Sequence, residues 1–363
     1  MIPVLTPEEM QEVDAAAPEP VEVLMARAGA AVARAALRLM GGAYGRRVVV
    51  VAGKGNNGAD GRYAAARLRR QGCRVLVVDA AGPPEPLPAC DLVVDAAYGT
   101  GFRGEYVAPR ISPGARVLAV DIPSGVDGLT GQAGDDAVRA DATVTFAALK
   151  PGLLLDGGPE RSGAVEVVDI GLDTSDATMH LVEDGDVRLP PRPREAHKWQ
   201  SAVFVAAGSA GMTGAALLSG RAALRAGAGY VRLGVPGADV ASLPATEMVG
   251  IEVPAEGWAG VVLEASARCK ALVVGPGLGR EPSATAEVAR VLAEAPQPAV
   301  VDADGLAAVP DDGPVPAGGG AARVLTPHAG EYGKLCGRPP GPDRVGDVRA
   351  LAGRTGAVVL LKG

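Results

Sequence analysis

Short, unbroken apolar runs alternate with stretches of helical periodicity along the first half of the chain. Val48–Ala52, Arg74–Val78, Leu92–Asp95, Val117–Asp121, Thr143–Phe146 and Val165–Ile170 have strand length, while Pro7–Asp14, Glu22–Leu39 and Ala59–Gln71 carry the helical pattern, the last stopped by Gly72. The runs are Val-rich and continuous rather than alternating, which is how strands buried on both faces read. The pattern predicts a doubly wound α/β sheet. Near Arg188–His197 the stretch RLPPRPREAH breaks it, because its prolines neither join a ladder nor continue a helix, so residues 189–196 read as a linker. A second α/β series follows. Its strands are Val203–Ala207, Tyr230–Val235, Ala271–Val274, Ala299–Asp302 and Val358–Lys362, its helix is Gly214–Ala226, and the Gly/Pro-rich Pro310–Ala322 reads as a surface loop. No sequence repeat relates the two halves.

Length and composition support that division. The 363 residues suit two domains, and 48% apolar but only 3% aromatic residues mean cores of Val, Leu, Ile and Ala. Acids and bases are mixed at a net charge of −7, without a basic run, so a nucleic-acid partner is not expected. The four cysteines, Cys73, Cys90, Cys269 and Cys336, are scattered without metal-ligand spacing, which points to a reduced, cytoplasmic setting. The opening MIPVLTPEEMQEVD lacks the basic-then-apolar order of a signal peptide, and no apolar run approaches the ~20 residues of a membrane span.

The candidate chemistry sits at strand ends. After the first run, Gly53, Gly55 and Gly58 spell G-x-G-x-x-G, and Asp79 closes the next run, as in a dinucleotide fingerprint. Glycines and a helix start would let a phosphate approach free N–H groups. Asn56 and Asn57 are unusual there for a nicotinamide enzyme, and Asp60 in the first helical turn would repel a pyrophosphate. The same residues also serve plain turn chemistry, with Asp60 answering the helix dipole. Asp95, followed by Gly99, Gly101 and Gly104, ends one later strand, and Asp121, with Ser124 beyond it, ends another. Such ends converge on one crevice in an open α/β sheet. Their oxygen-only side chains suit a hard cation, and one carboxylate would serve as a general acid or base.

The second half repeats this logic. A small-residue helix follows the first strand, ALVVGPGLGR places Gly275, Gly277 and Gly279 after another, AVVDADGL ends in Asp302 and Asp304, and VLTPHAGEYGKL puts His328 and Glu331 before a helix. Close helix packing alone would explain the small residues.

Taken together, GKGNNGADG, VDAAYGTGFRG, DIPSGVDGLTG and TFAALKPGLL resemble the YjeF N-terminal family, the NAD(P)H-hydrate epimerases, in order over residues 1–188. The resemblance implies a Rossmann-like three-layer domain that interconverts the R and S forms of NADH or NADPH hydrated at C6 and holds a potassium ion on Asn57, Asp95 and Ser124. It implies that Asn56, Asn57, Gly58, Ala59 and Asp60, with Gly99, Thr100, Gly101, Phe102, Arg103, Gly104 and Glu105, line the hydrated dinucleotide, and that Asp121 faces the reacting ring as the catalytic acid or base. Ala59 stands where the family usually has glycine.

Residues 197–363 resemble the ribokinase-like, carbohydrate-kinase domain of NAD(P)H-hydrate dehydratases, which remove water from the S hydrate with ADP. The implied residues are Ala215, Gly277 and His328 near the hydrate, and Lys362 and Gly363 at the nucleotide, with magnesium a further candidate; Ala329 replaces the usual proline. The family continues into a Gly-rich loop and Gly-Ser-Gly-Asp, whose aspartate is the base. With Gly363 last, an incomplete domain, crippled dehydration and a pairing-prone edge at the last strand are expected. A homo-oligomer is expected too. The alternatives are a non-catalytic dinucleotide-binding protein and an NAD-dependent dehydrogenase, the latter resting on Gly53–Gly58 and Asp79.

Overall fold

A computed structural model describes residues 1–188, 191, 193–243 and 247–363. Three linker residues, Leu189, Pro190 and Arg192, lie outside the described residues. The chain divides into two compact units, Met1–Leu189 and Pro190–Gly363.

The first unit runs β1 (Ile2–Val4), α1 (Pro7–Ala15), α2 (Val21–Met40), β2 (Arg47–Ala52), α3 (Asn56–Arg70), β3 (Arg74–Asp79), β4 (Leu92–Ala96), β5 (Arg116–Val120), β6 (Ala142–Phe146), α4 (Gly158–Ser162), β7 (Ala164–Val168) and β8 (Met179–Leu181). Six strands form one sheet in the order β3-β2-β4-β5-β6-β7, parallel throughout. β2 and β4 are buried along nearly their whole length because both sheet faces are covered. On one face α2 brings Ala28, Val32 and Ala36 against Val48, Val50 and Leu118. On the other, Val49, Val51 and Val93 are covered by Leu87, Cys90 and Val138 from connecting segments.

The second unit runs β9 (Ala202–Ala206), α5 (Thr213–Arg225), β10 (Tyr230–Gly234), β11 (Val249–Ile251), α6 (Ala259–Ser266), β12 (Ala271–Val274), α7 (Pro282–Glu294), β13 (Ala299–Val301), β14 (Arg323–Leu325), α8 (Ala329–Cys336), α9 (Arg344–Thr355) and β15 (Val358–Val359). Its sheet is also parallel, in the order β11-β10-β9-β12-β13-β14-β15. Trp258, Phe204 and Leu292 are sealed in its core.

Three departures from the sequence reading have local causes. First, α3 starts at Asn56, three residues early, because Gly55 in extended backbone is its N-cap and both asparagines already have helical geometry. Second, the last strand is Val358–Val359 rather than Val358–Lys362. Leu360 and Lys362 still donate to Leu325 and Pro327 carbonyls (2.8 and 2.9 Å), but Pro327 has no N–H with which to return the ladder. Val358 and Leu360 are exposed. Third, β1 and β8 pair antiparallel over three residues each, too short to read as a period. Among the described residues no helix is long and apolar enough to cross a membrane.

Candidate functional site

The site in the first unit begins at the glycine turn. A Cβ on Gly53 would lie 1.9 Å from the Ala97 carbonyl oxygen, and one on Gly58 1.9 Å from that of Gly53, so only glycine fits either place. A Cβ on Gly55 would meet nothing within 4 Å. Two glycines therefore close strand against helix, and the third leaves the turn open. Arg62 pins it by donating to the Gly53 carbonyl at 2.8 Å. No side chain caps α3, so its first N–H groups are left for a ligand.

The turn opens into a cavity of about 780 Å³ at the carboxyl edge of the sheet, whose wall runs from Asp79 past the turn and Gly99–Arg103 to Asp121 and Lys150. Apolar Leu24, Met25 and Ala28 of α2 form one side. At its far end Asp121 follows β5 with φ +68°, a left-handed conformation that aspartate tolerates better than most residues. Its Oδ1 accepts from Lys150 Nζ at 2.7 Å and from Thr145 Oγ1 at 3.1 Å. The Lys150 side chain is 2% exposed.

Two more carboxyls share that end, Asp60 on α3 and Asp14 on α1. Burial, then the charges of Asp121 and Asp14, push Asp60 up to about 8. Burial and Asp121 also raise Asp14, opposed by Lys150. Three acids thus share this end with one ammonium, which acts on Asp121 and Asp14, and Asp60, raised to about 8, keeps its proton at neutral pH. Sequence reasoning missed Lys150 and Asp14. Lys150 lay inside a quoted motif, just before Pro151, while Asp14 gave only a polar position on an early helix.

Asn57, Asp95 and Ser124 converge beside this cavity. Asp95, wholly buried, takes Ser124 Oγ on Oδ1 (2.7 Å) and Ser124 N on Oδ2 (2.8 Å). Burial raises it to about 6 in spite of those bonds. No cation pairs with it among the described residues. Asn57 Nδ2 donates to the Tyr98 carbonyl at 2.9 Å, which leaves its Oδ1 buried without a partner. Turning the amide over would set oxygen against oxygen, so the carbonyl fixes the assignment. Asn56, Gly99, Thr100, Gly101, Phe102 and Arg103 line the cavity as well. Gly58, Ala59, Gly104 and Glu105 do not: Gly58 packs on Gly53, Ala59 is half-buried, and Gly104 and Glu105 are exposed. Among the described residues no group of three or more His, Cys, Asp or Glu side chains is placed to hold a metal ion.

In the second unit Ala215 sits in the first turn of α5, Gly277, Asp302 and His328 follow β12, β13 and β14, and Lys362 and Gly363 follow β15. Gly277 has φ +74°, and a Cβ there would sit 3.1 Å from that of Ala215. His328 is the N-cap of α8, its Nδ1 accepting from Gly330 N (3.0 Å) and Glu331 N (3.3 Å). A neutral ring then carries its proton on Nε2, 3.3 Å from Glu331 Oε1. Lys362 Nζ lies 2.8 Å from Asp302 Oδ1 and 3.8 Å from Glu331 Oε2. Burial pushes Asp302 up, but the Lys362 ammonium and the Ala303 N–H outweigh it and hold the carboxyl below its ordinary value. Asp304 belongs elsewhere, taking Gly279 N and Arg280 Nε. Gly363 is exposed.

Comparison with known proteins gives both units a family. Residues 21–88 and 79–152 match the YjeF-related protein N-terminus, and residues 203–363 match NAD(P)H-hydrate dehydratase. The chain is similar to the bifunctional NAD(P)H-hydrate repair enzyme Nnr of Mycobacterium tuberculosis, at 40% identity over 89% of this chain and 71% of that one. It is 37% identical to the enzyme of the same name from Thermofilum pendens, over 94% and 75%. A solved structure of an ADP/ATP-dependent NAD(P)H-hydrate dehydratase from Bacillus subtilis, co-crystallized with ATP/Mg2+, aligns at 27% identity and a TM-score of 0.37, covering 48% of this chain and 62% of that one.

Proposed function

The chain belongs to the family of bifunctional NAD(P)H-hydrate repair enzymes, and we propose that its first unit exchanges the R and S hydrates while its second binds the S hydrate together with ADP. One observation carries the first half: a buried carboxyl, raised to about 8 by burial and its acidic neighbours, and a carboxylate paired with a buried ammonium share the end of a cavity that begins at the glycine turn.

Inversion at C6 requires that the bond from C6 to its hydroxyl oxygen, or to the ring nitrogen, break and re-form. The departing atom takes up a proton on one side of the step, and a proton is removed on the other. Asp60 supplies it, and Asp121, held on its Oδ1 by Lys150 and Thr145, receives it. Leu24, Met25 and Ala28 of α2 give the ring an apolar wall. Pyrophosphate lies on the uncapped start of α3, with Asn56 and Gly99–Arg103 around it.

The orphaned Asn57 Oδ1 and the cation-free, buried Asp95 fit a monovalent cation, with Ser124 as third donor. When bound, potassium supplies the positive charge that this buried carboxylate lacks. In the second unit Ala215, Gly277 and His328 take the hydrate, and Lys362 and Gly363 the nucleotide with its magnesium.

The test is exchange between separated hydrates, followed by chromatography, and calorimetric titration of the full chain with ADP. Exchange no faster than in buffer removes the reading of the first unit. No heat of ADP binding removes that of the second.

A further inference from the structure

The first-unit cavity has a second end, and the proposed chemistry does not use it. Strand order places β3 at the sheet edge beside β2, and Asp79, the last residue of β3, pairs in register with Ala52, which pairs in turn with Ala96 of β4. These residues form one row across the carboxyl edge. Asp79, Ala80 and Ala81 close the cavity at the β3 end, three strand steps from the β5 end where Asp121 stands. At ~4.8 Å per step that is ~14 Å, room for a pyrophosphate and its two ribosides laid across the strands. With the hydrated ring at Asp121 and the pyrophosphate at the glycine turn, the other riboside lies over Asp79. This placement rests on the dinucleotide reading proposed above.

The Asp79 carboxylate is fixed for that contact. Its Oδ1 accepts from Ala81 N at 2.9 Å, and among the described residues nothing pairs with Oδ2. A carboxylate so placed accepts a ribose hydroxyl and repels a 2′-phosphate. Among the described residues no ion pair joins it to a cation, and the chain continues Ala80, Ala81, Gly82, Pro83, Pro84, Glu85, without a basic residue. The other cations of the cavity wall are placed elsewhere. Lys150 is paired with Asp121, Arg103 faces Asp127 at 3.7 Å and donates to the Thr100 and Phe102 carbonyls, and Lys54 lies within the pyrophosphate turn.

We infer that Asp79 selects the substrate of the first unit, favouring hydrates whose adenosine ribose bears a free 2′-hydroxyl, NADH hydrates, over those bearing a 2′-phosphate, NADPH hydrates. The measurement is kcat/KM for hydrate exchange by the full chain with each hydrate in turn. The expected wild-type preference for the NADH hydrate is about tenfold or more. Asp79→Ala and Asp79→Asn should each lower kcat/KM for the NADH hydrate and raise it for the NADPH hydrate, moving the ratio about tenfold. A gain on one substrate cannot come from misfolding. Equal wild-type rates on both hydrates, or a ratio unmoved in both variants, overturn the role of Asp79 and leave the epimerase reading standing. No exchange of either hydrate by the wild type overturns both.

Discussion

Lys150 Nζ stands 2.7 Å from Asp121 Oδ1 in an ion pair whose members are 2% and 16% exposed. The pair answers more than one charge, because Asp14 and Asp60 crowd the same end of the cavity. Removing the ammonium would leave an unpaired carboxylate beside two other acids. Lys150→Met should therefore cost about 3–5 kcal/mol, the usual scale for breaking a buried pair from one side. Denaturant unfolding of the first unit would show it, with hydrate exchange lost as well. A loss under about 1 kcal/mol would mean that water, not Lys150, balances Asp121.

Asp60 makes the pH dependence specific. Its folded value of about 8 stands above the ordinary carboxyl value near 3.8, so the folded unit binds the extra proton. Its contribution to stability is complete below pH ~3.8 and is lost progressively as pH rises to about 8, beyond which both states are ionised. Asp60→Asn should abolish that slope and raise stability at pH 7.5. If Asp60 is the proton donor, wild-type exchange should also fall above pH 8, and the Asn variant should run ~10²–10⁴-fold slower at every pH. Stability–pH curves of the two proteins check the first point and pH–rate profiles the second. A wild-type rate that climbs through pH 8 to 9 would exclude Asp60 as the acid.

How far the site was legible depends on how local its logic is. Gly53 and Gly58 are forced by backbone contacts within one strand–turn–helix unit, so their spacing gave them away. Asp95 and Asp121 follow apolar runs directly, with Ser124 three residues beyond Asp121, and a parallel sheet gathers such ends on one edge. Asp14 was not legible, since a polar position on α1 becomes an acid beside Asp60 and Asp121 only once α1 packs over the sheet edge. Lys150 was hidden for a related reason. Its partner is 29 residues away, and nothing local shows that an ammonium is buried there. The alternation of strands and helices announced both α/β units and the last strand, but not that this strand stops after Val359, a limit set by Pro327 in another strand's continuation.

The Asn57–Asp95–Ser124 cluster predicts cation-dependent stability. A cation that binds only the folded unit raises its stability with concentration, by RT ln(1 + [L]/Kd). Replacing choline chloride by potassium chloride at equal ionic strength should raise the melting temperature of the wild type. Asp95→Asn removes the charge and Asn57→Ala the orphaned oxygen, so each should abolish the difference. Identical melting of the wild type in the two salts would count against the site without any appeal to catalysis.

The last prediction concerns Lys362, whose ammonium is 2.8 Å from Asp302 and 3.8 Å from Glu331 in the second unit. Asp302 is held below its ordinary value, so its contribution to stability is present above pH ~3.8 and is lost as pH falls through the lowered folded value. In Lys362→Met that contribution shrinks, and the gap from wild type should be open at pH 7 and close under acid. Both side chains are about one third exposed, at 39% and 30%, so the gap should stay under about 1 kcal/mol. Nucleotide binding gives the sharper contrast. If Lys362 meets the phosphates of ADP, it is shared between them and Asp302. Lys362→Met should then weaken ADP binding, whereas Asp302→Asn, which releases the ammonium and removes a negative charge, should strengthen it. Calorimetric titration of the full chain with ADP separates the two variants. Parallel losses in both would show that the pair shapes the turn around His328 and Glu331 and does not touch the nucleotide.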